Sequence, residues 1–511
     1  MPAARQNAFN FRAGRGNAPA AAAVAVAMAR NRRIAPVLIS MTLALSGCAS
    51  VPQQCYAPVV VEIPAAWSVA DVPTTVPTMP GTASLAQWWL RFDDPLLSSL
   101  ISQALQANTS VKSAQAALRQ ARALRDVTAA GLWPDVGASA SAQHSTSGGH
   151  SNGNNFRAGL DASWELDIFG ANRSALAASN ATAEAGAASL GDVQVSIAAE
   201  VALSYITLRG AQARLAIADD NLASQLETLQ ITQWRLQAGL VTAIEAEQAR
   251  AQAEQTRAQL PVLQTSVEQT RHALAVLTGR PPAALADLLA AAGQVPQTAY
   301  NVALGIPAET LRQRPDVRAA EHQVTAALAR VAQADAARLP NFKLSGSLGL
   351  SALTLGALTH GASVVSALAA SVSMPVFDGG ASRAQVRAQQ AALEQASVAY
   401  QAAVLAALRD VEDALVALRG GRERLLRLQQ ASEAAANAAQ LARQRYSSGL
   451  VDFQTVLETQ RTQLNTQDSV AGARAELGAD HVRLYKALGG GWRVDSDNPT
   501  ATSTDNRTSR S

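Results

Sequence analysis

The sequence predicts a mainly α chain with a β-barrel portion: long helices in an internally duplicated arrangement, plus four strands per subunit. Three observations lead there. In "FRAGLDASWELDIF" every even position from Phe156 to Ile168 is apolar, and every odd one from Arg157 to Asp167 is Gly, Ser or charged. That is the period of a strand with one greasy and one wet face. Only 4% of residues are aromatic and Ala dominates the apolar 48%, which favours helices packed through small side chains. Finally, "EVALSYITLRGAQARL" (Glu200 to Leu215) recurs as "DVEDALVALRGGRERL" (Asp410 to Leu425), an offset of about 210 residues that makes the chain a duplication.

Taken in order, residues 1–47 read as a secretory signal. Arg30, Arg32 and Arg33 precede an apolar run, Ile34 to Leu45, too short to span a membrane, and Met28 is an alternative start that would give a signal of ordinary length. The run ends in "LSGC", so Cys48 is the expected lipidated first residue of the mature chain, and Cys55 an unpaired thiol. Residues 48–132 hold the lipidated segment and the first helices, and 133–170 a first β-hairpin. Residues 171–278 form a long helical pair that turns at Gly239, and 279–338 a connection and one helix. Then 339–378 is a second hairpin, 379–488 a second helical pair turning at Gly449, and 489–511 a disordered tail. Each long helix would run to about 100 Å if unbroken. Leu222, Leu226, Leu229, Gln233, Leu236 and Leu240 are spaced as a coiled-coil seam.

The four strands are expected at Val136 to Gln143, Phe156 to Phe169, Phe342 to Ala352 and about Val364 to Phe377. Phe156, Leu160, Trp164 and Ile168 should face lipid, while Arg157, Asp161 and Glu165 should line a wet interior. Four strands cannot close a barrel, and open edges cannot face lipid. Three copies would close one of about twelve strands, so a homotrimer is expected.

The net charge of +3 is spread along the chain without a basic run interleaved with aromatics, which argues against a nucleic-acid partner. His272, His322 and His481 lie singly on helices without ligand spacing. His144, His150 and His360 fall in expected outer loops, where solvated polar residues are favoured over a metal site at His144 with His150. No nucleophile-elbow, phosphate-loop or zinc-protease motif is present. Neither an enzyme nor a metal or cofactor site is expected, beyond the covalent lipid on Cys48.

Several stretches together resemble the TolC-type outer-membrane factors, in the lipoprotein branch that serves RND-type tripartite efflux systems. They are "WWLRFDDPLLSSLISQALQAN" (Trp88 to Asn108), "IPAETLRQRPDVRAAEHQV" (Ile306 to Val324), "RLPNFKLSGSLG" (Arg338 to Gly349), "PVFDGG" (Pro375 to Gly380), "RYSSGLVDFQTVLETQR" (Arg445 to Arg461) and "YKALGGGW" (Tyr485 to Trp492). The resemblance implies a homotrimeric duct in the outer membrane with a periplasmic helical tunnel and an equatorial belt. A periplasmic adaptor would join it to an inner-membrane RND-type transporter, and small toxic compounds or antibiotics would be the cargo. Gly239 with Leu240, and Gly449 with Leu450, are the implied adaptor-docking tips. The resemblance also places an acidic ring just past the second tip. That position is Glu458, with Gln454 one turn earlier where relatives carry an apolar residue, and Arg445 and Tyr446 as latch residues. Two competing readings are a channel for one-step protein secretion and a structural trimeric coiled-coil surface lipoprotein.

Overall fold

The computed structural model describes residues 63–68, 85–147, 151–298 and 311–492. The signal segment and Cys48 lie outside these residues, as does the tail beyond Trp492.

After a short 3-10 helix at Leu85–Phe92 come α1 (Pro95–Ala107) and α2 (Thr109–Ala130). The hairpin β1 (Asp135–Ser147) and β2 (Ser151–Leu166) leads into α3 (Ala171–Gln237) and α4 (Ala243–Leu277). The second half repeats the order with α5 (Pro315–Ala336), β3 (Asn341–Ala352), β4 (Val364–Ser373), α6 (Ala381–Ser447) and α7 (Phe453–Ala487). The duplication is metrical: α3 and α6 each hold 67 residues, α4 and α7 each 35, and α2 and α5 each 22.

Both long helices start in the same way, from a glycine in the left-handed region, Gly170 at φ 81° and Gly380 at φ 92°. Each is capped by an upstream carboxylate. Asp167 accepts from the backbone N–H groups of Asn172 (3.1 Å) and Arg173 (2.9 Å). Asp378 accepts from those of Gly380 (2.9 Å) and Ser382 (2.8 Å). The hydroxyl of Ser382, together with these amides, lowers the Asp378 carboxyl to about 2, so the cap is ionised throughout the physiological range.

α3 packs along α2 and α5 in its first part and along α4 and α7 in its second, while α6 packs on α5 and then on α7. The two long helices therefore run the full height, and four shorter ones fill in above and below. The main core sits where these sets meet. Tyr205, Ile206 and Leu208 of α3 and Val411 of α6 are buried there with Trp88, Leu97, Leu274 and Tyr485. Trp88 stacks on Tyr485 with ring centroids 5.2 Å apart. The Tyr205 hydroxyl donates to Asp94, the cap of α1, at 2.9 Å and accepts from Arg209 at 3.0 Å. Burial raises this tyrosine to about 12 and keeps it a donor. The short stretch 63–68 joins here too: Ser68 donates through its backbone N–H (2.8 Å) and its hydroxyl (2.5 Å) to Glu412 of α6.

The expected tail at 489–511 begins too early. Gly489, Gly490 and Gly491 are buried. The Gly491 N–H donates to the Leu85 carbonyl at 3.0 Å, and Trp492 donates to the Gln313 carbonyl at 3.1 Å. Positive φ at Gly489 (73°) and Gly491 (113°) lets the chain fold back beneath Trp88, a use that a composition-based reading of Gly-rich sequence misses.

The four strands form one antiparallel sheet in the order β1-β2-β3-β4, so the two hairpins pair through β2 and β3, and β1 and β4 are its edges. β4 ends at Ser373, four residues before the expected Phe377, because Pro375 has no N–H to donate and Asp378 is drawn into the α6 cap.

Candidate functional site

The cross-strand register puts the large apolar residues of β1, β2 and β3 on one face. Leu160 lies between Ala138 and Leu348, and Trp164 opposite Leu344. On β3 and β4, Phe342 faces Val372 and Gly346 faces Leu368. Leu160, Leu348 and Leu368 are 51%, 57% and 79% exposed, a broad greasy surface with nothing on it in the single chain. Lipid is the solvent that suits such a face. Phe156 lies on this face as well. Arg157, Asp161 and Glu165 lie on the other face, with Ser141, Ser347 and Lys343 as cross-strand neighbours. Asp161 accepts from Ser139 at 2.8 Å, and Glu165 accepts from Asn341 at 2.6 Å. Ile168 departs from the expected set. β2 stops at Leu166 because Asp167 turns to cap α3, which leaves Ile168 in the connecting bend, outside the strand.

At the helical end of the sheet, Trp133, Val376 and Phe377 are all strongly exposed, and Trp164 donates its indole N–H to the Leu132 carbonyl at 3.0 Å. Indoles with a greasy body and a satisfied N–H suit a membrane–water boundary. Below it, Gln120, Arg125, Arg330, Gln333, Gln385 and Gln389 project into a groove of about 840 Å³ shared by α2, α3, α5 and α6. Its lining mixes these polar side chains with alanines and Leu124.

At the far end the two helical pairs turn in matching ways. The Leu240 N–H donates to the Arg235 carbonyl at 2.8 Å and the Leu450 N–H to the Arg445 carbonyl at 2.9 Å, each closing a Schellman turn. Gly239 and Gly449 have φ of 70° and 72°, and neither has any atom near its absent Cβ, so backbone conformation alone demands glycine there. Leu240 and Leu450 are each 73% exposed, the most exposed large apolar side chains of the two tips.

The tips are tied together within one subunit. The Tyr446 hydroxyl donates to Glu245 at the start of α4 at 3.2 Å. Arg235, at the end of α3, lies 4.6 Å from the Tyr446 ring centroid and donates to the Ser447 carbonyl at 3.4 Å. The ring also packs 5.4 Å from buried Phe453. Burial, outweighing its hydrogen bond from Arg235, raises the tyrosine, so it remains a protonated donor. Sequence reasoning named Tyr446 and missed its partners, although Arg235 occupies the position of Arg445 in the repeat. Arg445 itself has an exposed side chain and serves the turn through its carbonyl. Gln454 and Glu458 are exposed, one turn apart on α7, and are not part of this cluster.

Between tips and core the seam differs from the one expected. Leu222 is buried, but Gln225 and Thr232 are the buried neighbours in place of Leu226 and Gln233. Gln460 of α7 reaches across to Thr228 at 3.0 Å, and Asn221 to Gln467 at 2.8 Å. Such a polar seam holds helices less firmly than Leu knobs do. Among the described residues no three His, Cys, Asp or Glu side chains come together to hold a metal ion.

Comparison with known proteins agrees with this geometry. The profile of the family "Outer membrane efflux protein" matches residues 100–280 and 306–490, that is, both repeats. The pyoverdine export outer membrane protein OpmQ of Pseudomonas putida is 34% identical over 433 residues, 81% of this chain and 91% of that protein. Among solved structures, the outer-membrane channel OprN superposes with a TM-score of 0.79 at 36% identity, covering 86% of this chain and all of that one. VceC from Vibrio cholerae superposes at 0.75 with 27% identity, over 80% of this chain and 99% of its own. Two matched repeats, an amphipathic sheet and paired full-height helices make this chain a member of the outer membrane efflux protein family, an exit duct in the outer membrane.

Proposed function

We propose that three copies of this chain close one twelve-strand barrel and one helical tunnel, and that small toxic compounds or antibiotics leave the cell through it passively. The observation that carries this is the four-stranded sheet with a greasy exposed face, a polar face and two open edges. Open edges are untenable in lipid, and joining β4 of one copy to β1 of the next removes them all. Lipid on Cys48 anchors each copy. Energy comes from an inner-membrane RND-type transporter, joined to the duct through a periplasmic adaptor that docks at Gly239 with Leu240 and at Gly449 with Leu450. The Tyr446 latch and an inward ring of Glu458 set the width and cation preference of the closed end. The chain acts as a conduit and carries out no reaction.

The docking part is tested by Leu240→Asp with Leu450→Asp, in cells that express the adaptor and transporter. Drug resistance and adaptor cross-linking should both be lost while trimers persist in the outer membrane. Undiminished cross-linking would exclude the tips as the docking points.

A further inference from the structure

The polar face of the sheet is not uniformly charged along its length. Nearest the helices, Glu165 faces Lys343, and Asn341 also donates to Glu165 at 2.6 Å. Further out lies Asp161, held by Ser139 at 2.8 Å. β4 adds only Val365, Ala367, Ala369, Ser371 and Ser373 to this face. The outermost charge on it is Arg157, flanked by Ser141 on β1 and Ser351 on β3. Arg157 is exposed and makes no ion pair with any described residue.

Two features keep that charge effective. Asp161 is four residues away along the strand, about 13 Å, which exceeds the Debye length of about 8 Å at physiological salt. The intervening row is Gly159 paired with Gly349. A Cβ on Gly349 would lie 2.7 Å from the Ala158 carbonyl oxygen and 2.9 Å from the Gly159 Cα, so no side chain fits there to cover the guanidinium.

We propose that Arg157, repeated three times around the barrel, forms a basic ring at its outer end that favours anionic solutes, chiefly those bearing a carboxylate. The guanidinium presents several N–H donors with the Ser141 hydroxyl beside it, the arrangement a carboxylate accepts, while Ser351 on its other side donates to Asn155 at 3.2 Å. The ring rests on the trimeric-duct reading and adds a charge preference at its outer end.

The test uses full-length protein in intact cells with Ser141→Cys, beside Arg157 on the same row. Methanethiosulfonate reagents bearing a sulfonate or a trimethylammonium group are applied from outside, with rates normalised to a free thiol and the protein without Ser141→Cys as the blank. The sulfonate should react about threefold faster than the cation. Arg157→Gln should bring the ratio near unity, Arg157→Glu should invert it, and Arg157→Lys should retain it. A reactive Ser141→Cys whose ratio is unmoved by Arg157→Gln and Arg157→Glu would overturn the ring while leaving the duct intact. An inert Ser141→Cys beside a reactive Ala142→Cys would reverse the two faces, overturning the duct reading and the ring with it.

Discussion

Tyr446→Phe isolates the latch between the two tips. The substitution removes one hydroxyl, and with it the 3.2 Å hydrogen bond to Glu245, but keeps the ring that Arg235 covers at 4.6 Å and that packs on Phe453. A hydrogen bond to an ionised carboxylate contributes about 1.5–3 kcal/mol when shielded. Both partners here are only half-buried, so about 1 kcal/mol per subunit is the fitting magnitude. If three latches release together, about 3 kcal/mol is lost from the tied state, a shift of about a hundredfold toward the open one. Single-channel recording of the purified trimer reads this as the fraction of time in the high-conductance state. Glu245→Gln should have a similar effect, and the double variant should add little to either single one. Open fractions unchanged by Tyr446→Phe, or fully additive effects of the two substitutions, would refute the latch.

Other expectations follow from the same geometry. Leu160→Arg puts a charge on the greasy face at a cost of about 2–4 kcal/mol per subunit near the bilayer centre. Ser163→Arg, one face over, should be tolerated, and the yield of membrane-assembled trimer compares the two. Gly449→Ala should destabilise by about 1–2 kcal/mol because it forces an L-residue to positive φ. Gly420→Ala, in mid-helix with equally open space, should be neutral or stabilising, and melting temperatures separate the pair. His481 is buried on α7, with Nδ1 2.8 Å from the Leu477 carbonyl and Nε2 3.5 Å from Arg422. Burial lowers its pKa, so the unfolded chain binds the proton more readily. Its stabilising contribution is complete above the ordinary value of 6.5 and is lost as pH falls toward the folded value. His481→Gln should therefore flatten the acid side of the stability profile, measured by melting between about pH 5 and 8.

Much of the architecture was legible because it rests on periods. Alternation across Phe156 to Leu166 marks which residues share a face, and the recurrence of "GLV" after Arg235 and Arg445 marks both turns. What escaped depends on competition between neighbours or on long-range proximity. Ile168 continues the alternation, yet Asp167 gains two backbone N–H bonds by leaving the strand, and the strand ends with it. Gln225 and Thr232 took seam positions that Leu226 and Gln233 were expected to fill, because the phase of the seam is set by α7, whose Gln460 lies far away in sequence. Glu245 becomes Tyr446's partner only when the two hairpins lie side by side, 201 residues apart in the chain. No local pattern announces such a pair. The buried Gly489 to Gly491 turn reads like a loose tail until Trp88 and Leu85 are seen above it.

The central claim is that four strands per chain become a closed pore only when three chains meet. The most direct measurement is the conductance, in planar bilayers, of full-length protein purified as the species that resists dissociation on an unheated gel. That species should run near three times the mass of the mature monomer, which lacks residues 1–47 of the 53.0 kDa chain, and give discrete ion-conducting steps, which disappear when heating converts it to monomer. A stable monomer that conducts, or a stable trimer that never does, would contradict the claim.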